Sequence, residues 1–137
     1  MKAEEVRPVL IAGTAYLLAG VVFGELAGRA TSLQERVEWR WAAWAVSAIT
    51  FATHIVYGLL RLRNSPRRTA SHAALGAAIG AFGLAAMANI HSLSVSPARR
   101  SILLLLSLVI WPALTALPAF VVALVAAALL QRVRPSV

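Results

Sequence analysis

The sequence predicts an all-α integral membrane protein, with four transmembrane helices in an up-down bundle. Three observations carry that prediction. Hydrophobic residues make up 60% of the 137-residue chain and charged residues only 13%, with a mean hydropathy of +0.77, well outside the range of soluble domains. Four apolar stretches, at 9–28, 41–62, 70–93 and 101–130, each reach the roughly 20 residues that a helix needs to cross a bilayer core. The segments between them are short and basic, which leaves no room for a soluble domain. Residues 1–137 are therefore read as a single four-helix transmembrane domain.

Charge sets the expected orientation. The chain has a formal net charge of +8, but its basic residues flank apolar segments instead of forming one patch. They read as topology signals and headgroup contacts, with the lipid bilayer as partner and no nucleic acid. Lys2, Arg7, Arg61, Arg63, Arg67, Arg68, Arg132 and Arg134 fall on one side, against Arg29, Arg36, Arg40, Arg99 and Arg100 on the other. Eight against five places both termini in the cytoplasm. Twelve arginines against one lysine, with abundant alanine, is the usage of a GC-rich bacterial genome, so the expected location is the bacterial cytoplasmic (inner) membrane.

The first helix is expected to start near Pro8, which a first turn tolerates. Glu4 and Glu5 spoil the positive region that a signal peptide would need. Gly13, Gly20, Gly24 and Ala27 share one face, and small residues let membrane helices approach closely. Glu25 is the one acid inside a span, with Arg29 at i+4 in the order that favours an ion pair. That pairing near a helix end is the expected role, and the alternative is a functional site, since a membrane-embedded acid is costly.

The second helix organises the rest. Ser32 and Glu35 have capping-box spacing, so this helix begins near Leu33 and extends beyond the membrane at its outer end. Trp39, Trp41 and Trp44 form an interfacial belt there. Further along, Ser47, Thr50, His54 and Tyr57 fall on one arc of the helix, opposite a face without polar side chains. His54 is either a packed, hydrogen-bonded imidazole or a proton carrier.

Pro66 ends the second helix, and Thr69 or Ser71 is expected to cap the third. Gly76, Gly80 and Gly83 form a second small-residue face, with His72 at the near end of the helix and His91 at the far end. Asn89 lies elsewhere on the helix and is available to bond a neighbour. The fourth helix is over-long and contains Pro112 and Pro118, which predict kinks. Thr115 between them is placed to satisfy one freed carbonyl.

Chemistry is sparse. There is no cysteine, which removes thiolate metal sites and cysteine nucleophiles. The sequence also lacks aspartate, and no carboxylate is spaced to orient His54, so no catalytic centre is predicted. Glu25 and His91 would supply two metal ligands without a third. No two histidines of one copy lie level, so no cofactor is predicted, and haem or quinone contact would require partner subunits. Two function classes follow. The first is a non-catalytic subunit of a larger membrane assembly, packing through the glycine faces of helices one and three. The alternative is a homo-oligomeric channel or transporter for protons, ions or a small solute, lined by the polar face of helix two. The candidate polar site comprises Glu25, Ser47, Thr50, His54, Tyr57 and His91, and the candidate packing positions are Gly13, Gly20, Gly24, Gly76, Gly80 and Gly83.

Overall fold

The computed structural model describes residues 3–95 and 102–133. Among them are four helices, α1 (Ala3–Arg29), α2 (Leu33–Leu60), α3 (Pro66–Val95) and α4 (Ile102–Val133), and no strand. All four are long and apolar enough to cross a membrane. The expected outer loop, with Ser96, Arg99 and Arg100, lies outside the described residues, as do Lys2, Arg134 and the first residue of the fourth predicted span.

The helix ends follow from capping. Ser32 adopts an extended conformation, and its hydroxyl accepts from the Glu35 N–H at 3.1 Å, so α2 begins at Leu33 as the spacing predicts. Glu35 reaches back to the Thr31 N–H at 3.1 Å, one residue earlier than in a standard capping box. At the other end, Arg63 takes φ of 50°, and the Asn64 N–H donates to the Gly58 carbonyl at 3.0 Å. Ser65, and neither Thr69 nor Ser71, then caps α3, accepting from the Arg68 N–H at 3.4 Å. Pro66 opens α3, where its missing N–H costs nothing. Pro8, by contrast, lies inside α1, which starts at Ala3. The Glu4 carbonyl consequently loses its usual donor.

Helix α3 is the hub: it packs against α1, α2 and α4, whereas α1 and α4 do not meet among the described residues. The two glycine faces pack on each other. A Cβ built on Gly13 would meet the Ile79 side chain, one on Gly80 would meet Tyr16, and one on Gly83 would meet Leu17; Gly76 lies against Ala12 and Val9. Paired residue numbers rise together, so α1 and α3 run in the same sense along this seam. Gly24 lies off this seam: nothing within the chain lies within 4 Å of a Cβ built there, because α1 has left the seam after Gly20.

At the α2–α3 turn end, Ile55 and Leu59 of α2, Ala70 and Ala73 of α3, and Ala123 and Ala127 of α4 form the apolar core. Farther along, the Asn89 amide donates to the Leu104 carbonyl at 2.9 Å and tethers α3 to α4. Helix α4 is continuous over 32 residues with both prolines inside. Thr115 donates to the Trp111 carbonyl at 2.7 Å, not to the carbonyls of Leu108 or Leu114 that Pro112 and Pro118 deprive of a donor. Most of the large side chains of α4 face outward, as a lipid-facing helix requires.

Candidate functional site

The polar arc of α2 does not stay together. Only His54 is buried; Ser47 and Thr50 are half-buried and Tyr57 is exposed. The Thr50 hydroxyl donates to the Val46 carbonyl of its own helix at 2.9 Å. Four residues spread over nearly three turns share an arc on a wheel, but a neighbouring helix covers them only where it stays close. Helix α1 reaches His54 through Pro8.

His54 hydrogen-bonds the backbone of Pro8. Proline has no N–H, so the imidazole donates to its carbonyl, and the other ring nitrogen of a neutral histidine retains its lone pair. His54 is also within electrostatic reach of His72, which corrects the expectation that no two histidines lie level. His54 precedes the end of α2 by six residues, and His72 follows the start of α3 by six. Both are about 9 Å deep at 1.5 Å per residue. The misplacement came from starting the third helix at residue 70 instead of Pro66.

His72 in turn lies within electrostatic reach of Glu5 and Arg68. Arg68 donates to Glu5 at 2.8 Å, joining α1 to α3; the carboxylate is buried, while the guanidinium side chain is 48% exposed. The ion pair thus opens toward the end of the bundle. Glu5, His54 and His72 are 6%, 8% and 6% exposed, a concentration of buried titratable groups that a membrane domain rarely holds without use. Asn64 and Thr69 add two buried polar side chains at the same end, and neither Asn64 Nδ2 nor Thr69 Oγ1 has a hydrogen-bond partner.

Local sequence explains the grouping. Glu5 and Pro8 are i and i+3 on α1, and Arg68 and His72 are i and i+4 on α3, so each pair shares a helix face. Glu5 and Arg68 were absent from the sequence-based candidates, although the i,i+4 pairing of Arg68 with His72 was a visible signal. Glu5, His72 and His54 thus lie buried at one end of the bundle, behind the half-exposed Arg68.

The other candidates stay apart from this group. Glu25 forms an exposed ion pair with Arg29 at 3.4 Å, and His91 is exposed toward the far end of α3. Among the described residues, no group of three or more potential ligands is placed to hold a metal ion. Tyr16, two turns beyond Pro8 on α1, has a buried hydroxyl without a hydrogen-bond partner. Comparison with protein-family models, with curated proteins and with solved structures finds no match to this chain.

Proposed function

We propose that this multi-pass membrane protein moves protons, or a solute coupled to them, and that Glu5, His72 and His54 form the entry half of the path. The observation that carries this is the burial of these three groups together at one end of the bundle, behind the half-exposed Arg68. Histidine suits the task because its unperturbed pKa lies near neutrality. Beyond His54 no titratable file continues among the described residues, while Ser47, Thr50 and Tyr57 turn partly or wholly outward. A polar face turned partly outward favours coverage by another helix. A second copy on that face of α2 would complete the path, as in a homo-oligomeric transporter.

Proton flux into proteoliposomes, driven by a pH gradient, tests the proposal. Wild-type protein should conduct above protein-free vesicles, and His54→Ala and His72→Ala should each abolish most of that flux. His54→Asn should restore stability through its amide without restoring flux. Flux equal to protein-free vesicles, or unchanged in both alanine variants, ends the proposal.

The alternative role, as a subunit of a larger assembly, loses its original support because the glycine faces of α1 and α3 are occupied by each other. It retains the open edge of Gly24 and Gly28, at the four-residue spacing of close helix contacts. Loss of a native complex in Gly24→Leu, with the fold intact, would favour it.

A further inference from the structure

We propose that the end of α2 near the α1–α2 turn carries a binding site for one anionic phospholipid, distinct from the proton path. Relative to Arg36 at 0° on the helix, Arg40 lies at about 40°, Leu33 at 60°, Trp44 at 80°, Val37 at 100° and Trp41 at 140°. Two arginines thus line one edge of an apolar, aromatic face, and a groove runs between Val37, Arg40, Trp41 and Trp44. Trp41 and Trp44 are 70% and 73% exposed. Trp39, which the sequence placed in the same belt, faces the other way and stacks on Phe23 of α1 at 6.2 Å.

Charge complementarity selects the occupant. The nearby acids are already engaged: Glu25 with Arg29, Glu35 with Thr31, and Glu38 with Gln34 at 3.1 Å. Arg36 and Arg40 have no carboxylate partner among the described residues. Two adjacent guanidiniums suit a phosphodiester, which accepts from both. From Arg36 to Trp44 the helix descends about 12 Å, so the indole of Trp44 lies below the arginines along the acyl chains. Indoles prefer this boundary between headgroup and hydrocarbon. A phosphate with attached acyl chains uses both the arginines and the groove beside them.

The test reads tryptophan quenching in the full chain carrying Trp39→Phe and Trp111→Phe, which leaves only Trp41 and Trp44. Reconstituted vesicles contain either brominated phosphatidylglycerol or brominated phosphatidylcholine at the same low mole fraction in unlabelled phosphatidylcholine. Brominated phosphatidylglycerol should quench several-fold more strongly, and Arg36→Gln with Arg40→Gln should reduce that preference to parity. Both arginines are exposed, so the double variant keeps its fold, checked by an unchanged elution volume. Inorganic phosphate should leave the preference intact, because the groove holds the acyl chains as well. Equal quenching by the two lipids in the wild-type background means bulk lipid only and overturns the site. A preference that survives the double substitution removes the arginines from it, and displacement by phosphate alone makes it a free-anion site.

Discussion

A series of single methyl additions along α1 and α3 tests the seam quantitatively, because the structure ranks the glycines before any measurement. In Gly80→Ala the new Cβ would sit 2.5 Å from the Tyr16 Cβ and 3.2 Å from the Gly13 carbonyl oxygen. Carbon atoms pack at about 3.5–4.0 Å, so α1 must retreat by about 1 Å. Both obstacles belong to the backbone or its first carbon, and neither rotates away. Overpacking of this kind costs about 1–3 kcal/mol. In Gly20→Ala the clash is equally short, 2.6 Å, but with the tip of Leu84, which changes rotamer, so about 1 kcal/mol or less is expected. Gly76→Ala places its methyl 3.4 Å from the Ala12 Cβ, and Gly24→Ala meets nothing within 4 Å. The helix gains about 0.4–1 kcal/mol from replacing a glycine without strain, so Gly24→Ala should be neutral to slightly stabilising. The assay is reversible unfolding in mixed detergent micelles, followed by far-UV circular dichroism across all four variants. The expected order of stability is Gly24→Ala first, then Gly76→Ala, Gly20→Ala and Gly80→Ala. Equal midpoints for Gly80→Ala and Gly24→Ala would refute a seam formed within one chain.

The Glu5–Arg68 pair should respond asymmetrically. Arg68→Gln takes the 2.8 Å guanidinium from a buried carboxylate and should cost about 1–3 kcal/mol, whereas Glu5→Gln leaves a half-exposed arginine that water solvates and should cost less. Thermal unfolding of the two variants checks the order, and a more damaging Glu5→Gln reverses the assignment of which charge is buried. The basic residues predict an orientation with Ser65 in the cytoplasm. A cysteine at Ser65, an exposed cap position, should resist an impermeant maleimide in intact cells and react after lysis, while a cysteine at Ser96 should react in intact cells. The reverse pattern inverts the topology and puts the mouth of the proposed proton path on the other side.

The spans, the Ser32 cap and the membrane class were legible in the sequence because each depends on residues within a few turns. Hydropathy over 20 residues decides insertion, and a cap needs only i and i+3. The two glycine faces were legible as faces for the same reason. That they meet each other, and that Gly24 lies off their seam, was not legible, since small residues mark where a helix can be approached and not by which partner. The candidate site shows the same division. His54 stood out as a histidine inside a span, whereas Glu5 passed for a terminal charge and Arg68 for a topology signal. Their ion pair spans 63 positions, a separation across which no local pattern reports. Only packing decided that Pro8 lends its carbonyl to His54, that Tyr57 faces outward from the same arc, and that His72 lies level with His54. The rotation and axial register of rigid helices determine such contacts, and both are properties of the assembled bundle.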